Sequence, residues 1–173
     1  MEAKVTSHVV KGLILSLVLI VYGLILHFTG QSMNRSLNSI QYAIIVGGII
    51  WGCITYANQL HNNVTFGNVF AHGFKMTAVV TVITIVYSIL AFKVLFPEML
   101  DQALAQASAE LEKKNMSEDQ MDTAMSITRK YFIPFAIGGI LLGFMFIGAI
   151  SSLIGAAVAK KKPQDPFAQQ GNI

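Results

Sequence analysis

The chain has 173 residues, of which 54% are hydrophobic and 12% are charged, and its formal net charge is +3. So few charged side chains cannot cover a water-soluble globule of this apolar fraction, which excludes an ordinary soluble domain and indicates a membrane protein. The single cysteine, Cys53, excludes an intrachain disulfide, and within its apolar run we interpret it as a small packing residue.

The first two predicted spans cover about residues 12–29 and 42–60. The first apolar stretch is longer than the roughly 7 to 15 residues of a secretory signal core, and no small-x-small cleavage site follows it. We therefore interpret it as a retained span, with Lys11 as a flanking charge. In the second span, Gly48 and Gly52 form a small-xxx-small pair, a spacing typical of close packing between membrane helices.

The third span is predicted over about residues 73–96. Phe66, Phe70 and Phe74 recur every four residues around its start, which predicts a short helix lying in the membrane interface with its aromatic face toward lipid. Within the span, hydroxyl side chains fall on one face of the helix. This hydroxyl stripe consists of Thr77, Thr81, Thr84 and Ser88.

Two explanations of the hydroxyl stripe stay open. In the first, the residues pack against other helices, and each hydroxyl bonds to the carbonyl one turn back or to a neighbouring helix. In the second, they line a polar path or a cleft for lipid head groups. Asp and Glu are absent from all predicted spans, which argues against a proton relay or a cation-coupled transporter.

Residues 97–130 form a polar insert that holds seven of the nine carboxylates. Pro97 should end the third span because proline has no amide donor, and Ser117 with Gln120 predicts a capping box for a second helix. Apolar residues recur on both predicted helices: Leu100, Leu104, Leu111, Met121 and Met125. They predict an extramembrane hairpin whose thin apolar strip is the contact surface for a protein partner. A solvated linker is the alternative.

The fourth span is predicted over about residues 132–159, followed by a flexible tail at 160–173. Gly139 and Gly143 share one face of this span and are predicted packing positions. Another set of small residues lies on nearly the opposite face: Gly148, Ser152 and Gly155. The two halves of the span should therefore pack against different neighbours.

Together these elements predict an all-α fold, an integral membrane four-helix bundle with an extramembrane helical hairpin between the third and fourth spans. Four spans place both termini on one side. Each side of the membrane would carry six lysine and arginine residues in total, so this count does not set the orientation. The triple lysine at 160–162, with Lys4 and Lys11 near the first span, nevertheless favours cytoplasmic termini and a periplasmic insert at 97–130.

The sequence has no arrangement of residues typical of catalysis. His8, His27, His61 and His72 are too scattered for a recognised metal pattern. A glycine-rich phosphate loop and a nucleophile elbow are also missing. We therefore predict no catalytic residue, no metal, no cofactor, no nucleic-acid partner and no enzymatic activity.

The segment at residues 65–75, with the sequence TFGNVFAHGFK, resembles the segment that leads into the third span of the bacterial membrane proteins grouped as domain of unknown function 4199. The stretches at 96–98, 116–121, 124–125 and 132–134 resemble that family in the same order. The resemblance implies four spans, a helical insert before the last one, an envelope location and no established activity. It supplies no catalytic residues.

Packing signals are abundant and reactive groups are absent. This contrast favours a non-enzymatic protein of the bacterial inner membrane that works through association, either with itself or as an accessory subunit of an envelope complex. Its expected partners are membrane lipids and either another protein or a second copy. The alternative is a small transporter, channel or lipid-handling protein that uses the hydroxyl stripe.

Overall fold

A computed structural model describes residues 5–113 and 117–160, so the predicted tail lies outside the described residues from position 161 onward. These residues form α-helices without a strand: α1 (His8–Phe28), α2 (Arg35–Gln59), α3 (Phe66–Leu90), α4 (Glu98–Glu112) and α5 (Glu118–Val158). A π-helical turn, Ala91–Leu95, follows α3. Four stretches are long and apolar enough to cross a membrane: His8–Phe28, Arg35–Gln59, Phe66–Leu95 and Asp119–Val158. The predicted all-helical fold with four candidate spans is thus confirmed.

The first two helices begin at side-chain caps. Ser7 accepts a hydrogen bond from the backbone N–H of Val10 at 3.3 Å, and Asn34 accepts from Ser36 and Leu37. Each cap satisfies N–H groups that have no partner within the helix. Gly30, in the link between α1 and α2, has a φ of 68°, a conformation that glycine adopts without steric cost.

The prediction of a separate short helix around Phe66 is wrong, because α3 runs without a break from Phe66 to Leu90. No helix-breaking residue separates the aromatic segment from the span. Val69, His72 and Met76 recur at helical spacing and are buried, so this part of α3 packs inside the protein.

The end of the third span confirms the effect of Pro97. The backbone N–H of Phe96 donates to the carbonyl of Ala91 at 2.8 Å, closing the π-helical turn. Phe96 then has a φ of −142°, away from the helical region, as expected for a residue that precedes proline.

The predicted second helix of the insert and the fourth span are one helix, so the expected break between them is wrong. α5 continues from Glu118 through Pro134 to Val158. Ser117 donates its backbone N–H to Oε1 of Gln120 at 3.3 Å just before α5, which confirms that part of the capping box. The helix continues through Pro134 although the proline lacks an N–H donor and its ring crowds the carbonyl one turn earlier.

The chain divides into two compact units. Unit 1 contains residues up to 81 and from 144 onward, and its core is formed by side chains with at most 1% exposure: Ile45, Ile49, Cys53, Val69, Met76 and Val80. Unit 2 contains residues 82–143, which include α4 and the first part of α5. Among its described residues, the most buried large side chain is Leu104, at 5% exposure.

Candidate functional site

Lys11 is buried in unit 1, although the sequence analysis treats it as a flanking charge. Its side chain is only 1% exposed. Because α1 begins at His8, Lys11 lies inside the helix on the same face as the buried residues Leu15 and Ser16. The interpretation of Lys11 as a flank is therefore wrong. An ionisable residue within a candidate span is unusual and points to a functional site.

Helix α2 supplies the surroundings of Lys11. The Nζ atom of Lys11 donates a hydrogen bond to the carbonyl oxygen of Gly52 at 3.2 Å and lies 5.9 Å from the centre of the Tyr56 ring. A Cβ at position 52 would lie 2.5 Å from Sδ of Met76. Glycine is thus needed at this predicted packing position, where the α2 backbone comes close to Lys11 and α3.

His72, on α3, extends this polar cluster. Its ring stacks on Tyr56 with centroids 4.1 Å apart and meets the edge of the His8 ring at 6.0 Å. The side chain is 6% exposed, and its Nε2 atom has no hydrogen-bond partner among the described residues. The histidines look scattered in sequence, but α1 and α3 bring His8 and His72 together.

Cys53 is fully buried beside the cluster. Its Sγ donates to the carbonyl of Val69 at 3.7 Å. A Cβ added at Gly73 would lie 2.5 Å from this sulfur, and one at Gly155 would lie 2.7 Å from Cβ of Cys53. The surroundings of the thiol are those of a packed core residue.

The hydroxyl stripe is divided between the two units. Thr77 and Thr81 belong to unit 1, are each 1% exposed, and donate to the carbonyls of Gly73 and Thr77 at 3.0 and 2.9 Å. Hydrogen bonds from a hydroxyl to the carbonyl one helical turn earlier are what the packing explanation predicts for these two residues. Thr84 and Ser88 belong to unit 2 and are half-buried; Oγ1 of Thr84 has no partner in the described part of the chain. For these two residues the polar-path explanation stays a hypothesis.

The predicted packing glycines have different surroundings. A Cβ at Gly48 would lie 2.5 Å from the Leu15 side chain, so α1 packs closely against α2 at this point. At Gly139 and Gly143, no heavy atom of the described residues lies within 4 Å of an added Cβ. Packing at this second pair requires a neighbour from outside the described chain.

The predicted partner surface lies in unit 2. Leu104 is buried, whereas the other four of its residues are half-buried: Leu100, Leu111, Met121 and Met125. A groove of about 550 Å³ between α4 and α5 is lined in part by Leu104, Ala105 and Met125. The surface is thus partly covered within unit 2 and partly open.

Within residues 5–113 and 117–160, no three His, Cys, Asp or Glu side chains come together in a way that could hold a metal ion. The polar groups that do come together are Lys11, Tyr56, His72 and His8. The side chains of this cluster carry N–H and O–H groups that can donate hydrogen bonds.

Residues 10–161 match the protein family described as "Protein of unknown function (DUF4199)". The chain belongs to the DUF4199 family. This confirms the resemblance drawn from residues 65–75, at the start of α3, and from the insert. Neither the curated proteins nor the solved structures contain a match to this DUF4199 protein.

Proposed function

We propose that the protein is a non-enzymatic, multi-pass protein of the bacterial inner membrane that works by association with further copies of itself. The observation that carries the proposal is the open face of α5 at Gly139 and Gly143, where an added Cβ would meet no heavy atom of the described residues within 4 Å apart from its own stretch of helix. The two glycines are one turn apart and share a face. Such a pair lets the backbone of a second helix approach closely.

Large side chains flank these glycines on the same side of α5. Phe135 and Leu142 lie within about 100° of the pair at 100° per residue. Their exposures of 65% and 74% leave most of each side chain uncovered within the described part of the chain. Alternating large and small residues form the ridges and grooves through which helices interdigitate. The same face on a second copy provides the complementary surface, as in a two-fold symmetric contact.

Substituting the open face tests the proposal. Gly143→Ile should lower the dimer fraction measured by native mass spectrometry of the full chain released from membranes. Gly47→Ile is the matched control, because position 47 is also open but lies on α2, away from this face. A strictly monomeric wild type, or equal dimer fractions in the two variants, would contradict the proposal.

We extend the proposal to the insert, and place α4 and α5 as far as Lys130 outside the membrane as a second contact surface. The carboxylate-rich composition of residues 97–130 supports an aqueous location. Leu111→Ser should weaken association with a co-purifying protein without affecting membrane insertion, because Leu111 is only half-buried. Leu104 is unsuitable for this test because it is buried within unit 2.

The proposed orientation has cytoplasmic termini. Lys160 is exposed just after α5 ends in unit 1, and lysine near the end of a span favours the cytoplasmic side. Lys11 is buried and no longer contributes to this argument. A reporter that is active only outside the inner membrane should work near residue 115 and fail after residue 173. The reverse result would overturn the orientation.

A further inference from the structure

The groove between α4 and α5 in unit 2 has walls of opposite charge. Leu104, Ala105 and Met125 form the apolar part of its lining. Asp101 lines the groove from α4, and Arg129 lines it from α5. Each helix therefore contributes one charged side chain beside an apolar surface.

These two charges are available to another molecule. Oδ1 of Asp101 and Nη2 of Arg129 are 3.8 Å apart, which is longer than an N–H···O hydrogen bond, and the two side chains are 75% and 74% exposed. A guanidinium group has five N–H donors, and a carboxylate accepts hydrogen bonds at two oxygens. Both groups can thus form shorter bonds across an interface.

The charges of the two helices favour contact between α4 and α5 of different copies. α4 contains neither lysine nor arginine, so a second α4 laid against it would bring like charges together, which opposes association. Arg129 on α5 offers the opposite charge. The carboxylates of α4 belong to Glu98, Asp101, Glu110 and Glu112.

Two-fold symmetry produces this contact. Two copies that have the same orientation in a membrane are related by a two-fold axis along the membrane normal. When that axis passes along the mouth of the groove, α4 of each copy lies opposite α5 of the other. Asp101 of one copy then faces Arg129 of the second copy, and the reverse pair forms at the same depth.

We propose that the groove between α4 and α5 binds the same two helices of a second copy through reciprocal pairs of Asp101 and Arg129. The inference rests on the proposed self-association and names its contact outside the membrane. Met125 and Gly143 are 18 residues apart, or about five helical turns, and therefore share one side of α5. A second copy that packs against the glycines is thus in position to fill the groove.

The remaining lining of the groove suits a helix of the second copy. Ala105, Ser108 and Ser126 have small side chains, which allow another helix to come close. Met125 is only half-buried, so a second copy would remove further apolar surface from water. The apolar contact contributes affinity, and the charged pairs fix which helices face each other.

Charge reversal in the full chain tests the reciprocal pairs. Arg129→Asp leaves two carboxylates at the groove, and Asp101→Arg leaves two guanidinium groups. Each variant alone should dimerise roughly tenfold more weakly than wild type in native mass spectrometry of protein released from membranes, because like charges face each other. An equimolar mixture of the two variants should instead form mixed dimers in excess of both homodimers, because opposite charges then meet across the interface.

A pair that acts only within one chain gives a different result. In that case mixing cannot help, since neither variant regains an opposite charge in its own groove, and the absence of a mixed dimer overturns the proposal. The double variant with Asp101→Arg and Arg129→Asp carries the reversed pair and should dimerise as wild type does. This double variant keeps the test valid if a single variant fails to fold, which thermal unfolding reports.

Glu110→Arg and Lys130→Asp are the matched control variants. They change the net charge by the same amounts, both positions are exposed, and neither lines the groove. Each should dimerise within about twofold of wild type, because isolated surface charges contribute little. An equal preference for mixed dimers in this control mixture would show general charge attraction and overturn the proposal.

Repeating the mixture in a Gly143→Ile background separates this inference from the proposed function. If Gly143→Ile abolishes dimers while the charge variants dimerise as wild type does, self-association through the glycines stands and the groove contact is overturned. Mixed dimers that persist with Gly143→Ile would support the groove contact without the glycine face. A phospholipid that wild type retains and both charge variants lose, with dimerisation unchanged, would assign the groove to lipid and overturn the proposal.

Discussion

Gly148 and Gly155, in the half of α5 that belongs to unit 1, face side chains of α3 and α2. A Cβ at Gly148 would overlap the Thr77 side chain, and one at Gly155 would lie 2.7 Å from Cβ of Cys53. Gly139 and Gly143, in the half that belongs to unit 2, meet no heavy atom of the described residues within 4 Å. Small residues of α5 thus serve packing within the chain in one half and leave a face available to another chain in the other half.

The largest expected effect is that of Gly148→Ile, which tests the filled half of α5. The new side chain would overlap Thr77, which is 1% exposed and has no free space to move into. Overpacking a core costs about 1 to 3 kcal/mol and more where the site is rigid, so we expect a loss of about 3 kcal/mol in the free energy of unfolding. Thermal or denaturant unfolding in detergent measures it. If Gly143→Ile lowers the free energy of unfolding of the monomer as much as Gly148→Ile does, the two halves of α5 do not differ in packing as described.

The next largest effect concerns the core of unit 2. Leu104→Ala removes its most buried large side chain and should cost about 2 to 3 kcal/mol, since a cavity remains where the leucine was. Hydrogen exchange of the amides from Asp101 to Lys113 should speed up. Leu100→Ala is the control, because Leu100 is only half-buried and should change exchange less. Rapid exchange in the wild type would instead indicate the solvated linker.

Lys11 allows a smaller test inside unit 1. Lys11→Met keeps the volume of the side chain and removes the buried amino group, so we expect the free energy of unfolding to stay within about 1 kcal/mol or to rise. Lys11→Ala leaves a cavity and should be clearly less stable. Unfolding of both variants in the same detergent separates the contribution of volume from that of charge. A large loss in the methionine variant would show that the bond to Gly52 itself stabilises unit 1.

The smallest effect is expected at the ion pair of unit 2. Arg129 and Asp101 are 3.8 Å apart, and their side chains are 74% and 75% exposed. Exposed pairs of this kind contribute roughly 0.5 kcal/mol or less, so Arg129→Gln should leave the exchange rates of α4 almost unchanged. A change as large as that of Leu104→Ala would mean that charge, and not apolar burial, holds α4 against α5.

The spans and the end of the third helix follow from local sequence. Long apolar stretches predict helices that can cross a membrane. Pro97 ends the third span because its ring leaves the backbone nitrogen without a hydrogen to donate. The starts of α1 and α3 are harder to predict. Polar residues such as His8 and Asn68 are typical of the segments that flank a span, but in the structure they belong to the helices themselves.

The polar cluster of unit 1 depends on contacts that a single sequence does not reveal. Lys11 reads as a flanking charge because its position just before an apolar stretch is typical of one. Its buried amino group depends on the carbonyl of Gly52 and the ring of Tyr56, both on α2, and the local sequence of α1 does not reveal these neighbours. His8 and His72 likewise meet only because α1 and α3 start at the same end of unit 1. A lysine one helical turn into a span, at a spacing that continues its buried face, is the signal that points to this site.

The hydrogen bond from Lys11 to Gly52 also bears on the order in which the spans are inserted during synthesis. Gly52 follows Lys11 by 41 residues, so α1 emerges from the ribosome before its partner exists. Alone in the bilayer, α1 would extend Lys11 toward the head groups, where the amino group stays hydrated. The lysine can enter the interior only after α2 arrives with the carbonyl oxygen of Gly52, which accepts its hydrogen bond. We therefore expect α1 and α2 to settle in the membrane as a pair, and a chain that ends before Gly52 to hold α1 at a shallower depth than the full chain does.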